Sequence, residues 1–301
     1  MNMLGPICLV TGSSRGLGLE LVRALCKRLP EAKVYLTALT LNEGNEAVKL
    51  LDNEGLQPMM RLLDVRNKDM LKNLRDELLE DHGGLDILIN NAGIAFKPED
   101  TETFAEKARV TLETNYWGNR HCCEVMFPIL RSGARVVNMS SSCGFLGHLD
   151  KGRFIKAASQ LKDRLGSKDI TIEELDDLMK EFEKDAETGT HMENGWPDST
   201  YVVSKIGFSA LSRIQQRVFD SDIRTDLVVN HVHPGYLPTY LTGFKGSMTV
   251  EEGVAAPLYA ALLPPETSVR GQYIWKDCSI VDWVNGPAPS SSSISGKLVM
   301  P

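Results

Sequence analysis

The stretch Thr11-Gly12-Ser13-Ser14-Arg15-Gly16-Leu17-Gly18 decides how this chain folds. It follows the short apolar run Pro6–Val10 and opens an amphipathic segment, so the local order is strand, glycine-rich turn and helix. Glycines let the backbone turn tightly and approach a pyrophosphate, and the helix N-terminus supplies free N–H groups and the positive end of its dipole. The stretch therefore predicts a dinucleotide-binding βαβ unit at the start of the chain.

Short apolar runs alternate with longer amphipathic segments from this unit to about residue 275. The predicted strands are Pro6–Val10, Lys33–Ala38, Met59–Leu63, Leu85–Ile89, Arg135–Met139, Arg224–Asn230 and Gly271–Trp275. The predicted helices are Gly16–Leu29, Asn42–Asn53, Lys68–Asp81, a long helix ending near Leu130, Thr200–Val218 and Thr249–Leu262. This alternation predicts an α/β fold, a single Rossmann-type doubly wound parallel sheet with right-handed crossovers.

The alternation is interrupted by an insertion at about residues 148–198, before the helix at Thr200. Within it, Thr171-x-x-Glu174 forms a capping box that starts a helix. The stretch from Ile170 to Glu187 contains eight acidic residues and two basic ones. We interpret this segment as an acidic surface helix and not as a recognition site. We expect one domain over residues 1–285 and a disordered, serine-rich tail over 286–301.

Composition excludes several classes of protein. The chain has 301 residues with 33 basic and 40 acidic side chains, a net charge of −7, which disfavours nucleic acid as a partner. No run of 18 apolar residues is present, so we expect no membrane span. The six cysteines show neither C-x-x-C spacing nor a paired histidine pattern, which predicts reduced thiols, no metal site and a cytoplasmic location.

The end of the second strand bears on which dinucleotide is bound. An acidic residue there would hold the ribose 2′-hydroxyl of NAD. The strand reads Val34-Tyr35-Leu36-Thr37-Ala38-Leu39-Thr40 without an acid, and this favours NADP(H) because no carboxylate repels a 2′-phosphate. Arg15 in the glycine loop is the candidate ligand of that phosphate, the alternative being an ordinary surface arginine.

A candidate catalytic pair lies on the helix at Thr200. Tyr201 and Lys205 are four residues apart and share one helix face. A phenol that protonates a carbonyl oxygen needs a pKa nearer neutrality than its ordinary value, and a fixed ammonium beside it favours the phenolate. The pair follows the serine run Ser140-Ser141-Ser142 at the end of the fifth strand, where open α/β sheets bind ligands.

Together these motifs resemble the short-chain dehydrogenase/reductases. The resemblance rests on the glycine loop, Asn90-Asn91-Ala92-Gly93, the serine after the fifth strand, Tyr201-x-x-x-Lys205 and Pro234-Gly235. Within that family, the long segment ending in Gly195-Trp196-Pro197, together with NNAGIAFK at 90–97 and ALLPP at 261–265, resembles the monomeric NADPH-dependent carbonyl reductases. The resemblance covers roughly residues 5 to 275 and excludes the tail.

The resemblance implies a role for each matched residue. Tyr201 is the general acid, Lys205 lowers its pKa and binds the nicotinamide ribose, Ser141 bonds the substrate carbonyl, and Asn115 anchors a water in a proton relay. The implied cofactor-binding residues are Gly12, Ser14, Arg15, Gly16, Leu17, Gly18, Asp64, Val65, Asn91, Ala92, Gly93, Tyr201, Lys205, Pro234, Gly235 and Thr239. Asp64 and Val65 would flank the adenine, and the last three would cradle the carboxamide and the pyrophosphate. Residues implied to border the substrate are Phe96, Cys143, Trp196 and Tyr236, with His233 as a further candidate.

Several alternatives stay open. Ser140 or Ser142 could take the role of Ser141, and Asn115 could be a locally satisfied polar residue. Cys143 is either a reactive thiol or an inert one, and His233 is more simply a structural histidine. The family's usual arginine after the second strand is replaced by Leu39, and its usual acid after Thr239 is replaced by Tyr240.

The sequence thus predicts an NADPH-dependent carbonyl reductase that transfers hydride to ketones, aldehydes or quinones. The alternatives are an NAD(H)-dependent alcohol or steroid dehydrogenase and a non-catalytic nucleotide-binding scaffold. The expected partner is a small-molecule carbonyl substrate. Because the insertion would cover the face on which oligomeric relatives pair, we expect a monomer.

Overall fold

The strands form one twisted sheet with the order β3-β2-β1-β4-β5-β6-β7-β8. The structure is a computed structural model and describes residues 5–97, 99–151, 154–287 and 289. The strands are β1 Ile7–Val10, β2 Lys33–Ala38, β3 Met59–Leu62, β4 Leu85–Asn90, β5 Leu130–Met139, β6 Val228–Val232, β7 Tyr273–Ile274 and β8 Ile280–Val281. The pairings from β3 to β7 are parallel, and β8 is antiparallel to β7. The predicted α/β doubly wound sheet is confirmed.

Helices cover both faces of the sheet. They are α1 Gly16–Arg28, α2 Leu41–Asp52, α3 Lys68–His82, α4 Phe104–Leu112, α5 Asn119–Met126, α6 Ile155–Gly166, α7 Ile172–Thr188, α8 Thr200–Asp220 and α9 Ala255–Ala261. Alternate residues of β1 separate the two cores: Cys8 and Val10 pack with α1, α2 and α9, and Ile7 and Leu9 pack with α3 and α5. Both faces are therefore buried, as parallel sheets require.

The prediction of one long helix ending near Leu130 is wrong, because the helix is interrupted in its interior and ends earlier. It is interrupted by a π-helical turn, Glu113–Gly118, and closes in a 3₁₀ turn, Phe127–Ile129. Leu130 belongs to β5, because it pairs with Leu85 of β4 ahead of a register shift.

The strand predicted at 224–230 instead runs from Val228 to Val232. The strand starts later because Asp226 has a φ of +58°, which no extended strand adopts, and the Arg224 backbone N–H bonds the Asp222 carboxylate at 2.8 Å. The helix predicted at 249–262 is shorter, since a 3₁₀ turn at Glu252–Val254 precedes α9. Helix α6 and strand β8 were not predicted.

The insertion packs against the helices beside the sheet. Helix α7 starts at the predicted capping box of Thr171 and Glu174 and buries one apolar face. Its Asp176 is also buried, and it accepts a hydrogen bond from the Tyr116 hydroxyl at 2.8 Å and pairs with Arg120 at 2.8 Å. The acidic helix is thus confirmed, and one of its acids ties it to the π-helical turn.

No helix in the described part of the chain combines the length and apolar character needed to cross a bilayer. The predicted tail, 286–301, lies outside the described residues apart from Gly286, Pro287 and Pro289. Its disorder therefore stays a prediction.

Candidate active site

The predicted site residues gather at the carboxyl edge of the sheet. The glycine loop follows β1, Asn91–Gly93 follow β4, Ser141 follows β5, and Pro234 and Gly235 follow β6. The strand order reverses between β1 and β4, and this switch point is where open α/β sheets leave a crevice for ligands.

The glycine loop is packed too closely for side chains. Gly12 and Gly16 have φ values of +59° and +56°, which favour glycine. A Cβ atom on Gly12 would lie 2.9 Å from the Ala92 Cα, and one on Gly18 would lie 2.6 Å from the Asn91 Nδ2. Gly12 and Gly18 therefore allow the loop and α1 to pack closely against the segment that follows β4.

Hydrogen bonds from neighbouring strands fix the loop. The Thr11 hydroxyl accepts from the backbone N–H groups of Asn91 and Ala92 at 3.0 Å each, and the Asn91 amide donates to the carbonyls of Thr11 and Gly12. The Thr37 hydroxyl accepts from the Gly12 N–H at 2.9 Å. Sequence reasoning assigned no role to Thr11 or Thr37, although Thr11 stands directly before the first glycine.

The N-terminus of α1 keeps its N–H groups for a ligand. Its N-cap residue, Arg15, makes no side-chain capping hydrogen bond, and the first turn contains no acid. By contrast, α4 and α7 both start with complete Thr/Glu capping boxes. An uncapped N-terminus beside a glycine turn fits a pyrophosphate. Thr239 lies over it, 3.4 Å from a Cβ built on Gly16.

Arg15 lies on the outer side of this cradle. Its guanidinium pairs with the Glu43 carboxylate of α2 at 3.0 Å, and its Cζ lies 4.8 Å from the ring centre of Tyr240. Leu39, where the family's arginine is expected, is 60% exposed. Asp64, implied at the adenine, bonds Arg66, which lowers the pKa of its carboxyl, and Val65 is buried against Gly118. Ser14 and Leu17 are partly exposed in the loop.

Asn115 sits in the π-helical turn between α4 and α5. Its Oδ1 accepts from the Ile94 N–H at 2.8 Å, and its Nδ2 donates to the Ile94 carbonyl at 2.9 Å and to the Ser204 hydroxyl at 3.1 Å. Both amide hydrogens are thus engaged. The carboxamide joins the loop after β4 to α8 and is locally satisfied.

Lys205 is buried on α8 beside the cofactor cradle. Its Nζ donates to the Met139 carbonyl at 2.7 Å and lies 5.7 Å from the centre of the Tyr201 ring. A Cβ atom on Gly93 would lie 3.6 Å from this Nζ, so the loop after β4 passes directly over the ammonium. Burial lowers the pKa of Lys205 to about 8.

Tyr201, Ser141 and Cys143 form one cluster. Burial raises the pKa of the Tyr201 phenol, Cys143 raises it further, and a hydrogen bond with Ser141 acts in the opposite direction. Among the three serines, Ser140 is turned away, because its hydroxyl bonds that of Ser209 at 2.6 Å. The Ser141 hydroxyl also accepts from the Cys143 N–H at 3.2 Å.

His233 joins the serine loop to the loop after β6. Its Nδ1 accepts from the Ser142 N–H at 2.9 Å and the Gly235 N–H at 3.4 Å. Burial, with a contribution from Lys276, lowers its pKa to about 4, so the imidazole is neutral at pH 7. The structural interpretation of this histidine therefore fits its contacts. Gly235 has a φ of +107°, which continues the turn after Pro234.

The C-terminal strands also hold the serine loop. The Tyr273 hydroxyl of β7 donates to the Ser141 carbonyl at 2.5 Å. The indole N–H of Trp283, just after β8, donates to the Gly144 carbonyl at 2.6 Å. Neither residue was singled out from the sequence, because both contacts join segments more than 130 residues apart.

The residues predicted to border the substrate lie in different surroundings. Tyr236 is 50% exposed, and Phe96 is partly buried with the Lys107 ammonium 5.8 Å from its ring centre. Trp196 is 4% exposed and packs on Phe182 of α7, inside the core of the insertion. Its place at the pocket stays a prediction. In the ranges described, no group of three or more potential metal ligands was found.

Comparison with known proteins agrees with this geometry. The model of the short chain dehydrogenase family matches residues 6–152. NADPH carbonyl reductase 1 of Rattus norvegicus is 41% identical over 281 residues, which cover 92% of this chain and 98% of the rat protein. The chain belongs to the short chain dehydrogenase family. The human NADPH carbonyl reductase 1 is likewise 41% identical, over 271 residues that cover 89% of this short chain dehydrogenase and 95% of the human protein.

Solved structures show the same fold. Salutaridine reductase from Papaver somniferum superposes with a TM-score of 0.78 at 28% identity, covering 89% of this chain and 99% of that protein. Menthone neomenthol reductase from Mentha piperita gives a TM-score of 0.73 at 26% identity, with coverage of 90% and 98%. The likeness extends over about nine tenths of this short chain dehydrogenase.

Proposed function

We propose that this short chain dehydrogenase is an NADPH-dependent carbonyl reductase acting on ketones, aldehydes or quinones. The observation that carries the proposal is one arrangement: Ser141 lies close enough to the Tyr201 phenol to lower its pKa, and Lys205 lies beside them against Gly93 of the cofactor cradle. The bound nicotinamide cofactor supplies the hydride. The names of the 41% identical relatives, both NADPH carbonyl reductases, support the same activity.

In this function the protein residues handle the proton and the developing charge. The Tyr201 phenol donates its proton to the substrate oxygen, and Ser141 donates a hydrogen bond to the same oxygen, so that the growing negative charge is stabilised by two fixed donors. Lys205 offers a cation 5.7 Å from the phenol ring, which favours the phenolate left behind. Burial raises the pKa of the phenol, so a nearby cation helps the phenol to release its proton.

Asn115 would support the cluster from behind. Its amide hydrogens are used by Ile94 and Ser204, so a relay water would bond either the remaining lone pair of Oδ1 or the Asn115 carbonyl. We assign Asn115 the task of fixing the loop over Lys205.

We also propose a monomer that works in the cytoplasm on small molecules. Helix α7 packs on α4 and α8, the helix that carries the catalytic pair, and Asp176 ties α7 to Tyr116 of the π-helical turn and Arg120 of α5. This covered face leaves little of α8 for a second copy of the chain. A sedimentation mass of twice the chain mass would contradict the monomer.

The test uses purified protein with NADPH or NADH and a panel of menadione, isatin, 9,10-phenanthrenequinone and a steroid ketone. We expect turnover of a quinone with NADPH preferred. Tyr201→Phe should lower kcat by about 10²-fold or more, because a positioned general acid contributes about that much. Tyr259→Phe, on α9 at the other face of the sheet, is the matched control and should be unchanged. A Tyr201→Phe variant with near-native turnover would refute the mechanism.

An NAD(H)-dependent alcohol or steroid dehydrogenase is the second candidate. Exposed Leu39 favours it, since no arginine follows β2 to bind a 2′-phosphate. A kcat/KM more than about tenfold higher with NADH, about 1.4 kcal/mol, would favour this candidate. Tight NADPH binding without turnover of any ketone would favour a nucleotide-binding scaffold.

A further inference from the structure

Glu43 lies where the adenosine ribose of a dinucleotide is expected. It sits in the first turn of α2, directly after β2. Its backbone N–H donates to the Thr40 hydroxyl at 3.3 Å, and the same hydroxyl donates to Glu43 Oε2 at 3.3 Å. The carboxylate is therefore folded back toward the end of β2, the position from which Rossmann folds contact the ribose 2′ group.

The Glu43 carboxylate is also the ion-pair partner of Arg15. The two are 3.0 Å apart, and Arg15 is the cation that the glycine loop offers to a 2′-phosphate. Among the described residues, Arg15 is the one cation that pairs with Glu43. A phosphate bound by Arg15 would therefore lie close to the Glu43 carboxylate and share that cation with it. Like charges at such distances repel, whereas a neutral 2′-hydroxyl does not meet this repulsion and can donate to the carboxylate.

We propose that Glu43 is a cofactor-specificity residue that narrows the preference of this chain for NADPH over NADH. The inference rests on the proposed function, because it presumes a dinucleotide in the cradle. The sequence pattern predicts an acid that contacts the ribose at the end of β2, where this chain has Leu39. In this proposal Glu43, in the first turn of α2, takes that role.

Removal of Glu43 should not disorder Arg15. The guanidinium also lies 4.8 Å from the centre of the Tyr240 ring, a contact with no negative charge to compete for it. Arg15 thus keeps one of its two contacts in a Glu43→Gln variant and gains freedom to pair with a phosphate. This fixes the sign of the expected effect: tighter binding of 2′-phosphorylated nucleotides.

The experiment measures binding of adenosine 2′,5′-bisphosphate and adenosine 5′-monophosphate by titration calorimetry, for the wild type, Glu43→Gln and Glu46→Gln. Glu46 is an exposed acid on the same helix that bonds Asn42, and it serves as the matched control. We expect Glu43→Gln to bind the bisphosphate about twofold to fivefold more tightly, with no gain for the monophosphate, because partly exposed charge pairs have effects of this size. The gain should shrink at high salt.

Kinetics give an independent readout. The ratio of kcat/KM with NADPH to that with NADH should rise by a similar factor in Glu43→Gln and stay constant in Glu46→Gln. Unchanged or weaker bisphosphate binding by a folded Glu43→Gln protein would overturn the role of Glu43 and leave the reductase function standing. Failure of the wild type to bind either nucleotide or NADPH would overturn both.

Discussion

Replacement of Lys205 by methionine should make the protein more stable and inactive. Lys205 is 4% exposed, and burial lowers the pKa of its ammonium from 10.5 to about 8. Each pKa unit corresponds to about 1.4 kcal/mol, so holding this cation in the folded state costs about 3 kcal/mol at neutral pH. The variant loses the hydrogen bond to the Met139 carbonyl, which offsets about 1 kcal/mol. The net gain is about 2 kcal/mol, or about 3 °C in Tm for a chain of 301 residues.

The stability difference between Lys205→Met and the wild type should depend on pH. Below pH 8 the folded and unfolded states both carry the proton, so the wild type bears the full cost. Between pH 8 and 10.5 the folded state loses the proton while the unfolded state keeps it, and the stability of the wild type rises. The advantage of Lys205→Met should therefore be largest at pH 7 and decline steadily toward pH 10.

Urea unfolding at pH 6.5, 7.5, 8.5 and 9.5 measures this difference, with Lys184→Met on the exposed side of α7 as the control. Turnover of the active ketone should be lost in Lys205→Met at every pH. A variant less stable than the wild type at pH 7, or a difference that does not change with pH, would refute the reasoning that a buried cation is maintained here at the expense of stability.

Two further substitutions test the supports of the site. Gly18→Ala places a methyl group 2.6 Å from the Gly12 carbonyl and the Asn91 amide. We therefore expect the free energy of unfolding to fall by about 1–3 kcal/mol in thermal unfolding and the binding of adenosine 2′,5′-bisphosphate to weaken. An unaltered melting temperature would contradict the close packing. Tyr116→Phe removes the hydroxyl that bonds buried Asp176 and should cost about 1–3 kcal/mol in urea unfolding, with native activity retained in the folded protein. Equal stability of the two proteins would mean that Asp176 finds another donor.

The first half of the fold could be predicted because its signals are local. Strand β2 matches its predicted bounds, and α3 begins at the predicted Lys68, where Asn67 caps the helix with its side chain. The start of β5 could not be predicted, because Leu130 becomes a strand residue through pairing with Leu85. The residues around Leu130 carry no sequence pattern that indicates this pairing. Helix α6 was missed since its buried face is only Ala158, Leu161 and Leu165.

The candidate site shows the same division. Motif order along the chain sufficed to predict that Ser141, Tyr201 and Lys205 would meet at one sheet edge, because strand ends of a parallel sheet converge there. The groups that hold them were not predictable from spacing. His233 reaches Ser142 across 91 residues, and Glu43 reaches Arg15 across 28. Such contacts depend on how the loops fold after the sheet is formed.

The hydrogen bonds from Tyr273 and Trp283 to the serine loop have a consequence for synthesis of the chain. The glycine loop and the first four strands lie in the first 90 residues and can pair as soon as they leave the ribosome. The carbonyls of Ser141 and Gly144 receive their partners only when residue 283 has emerged. A nascent chain can therefore fold its glycine loop well before its serine loop is held in place, and a complete active site requires the two strands at the far edge of the sheet.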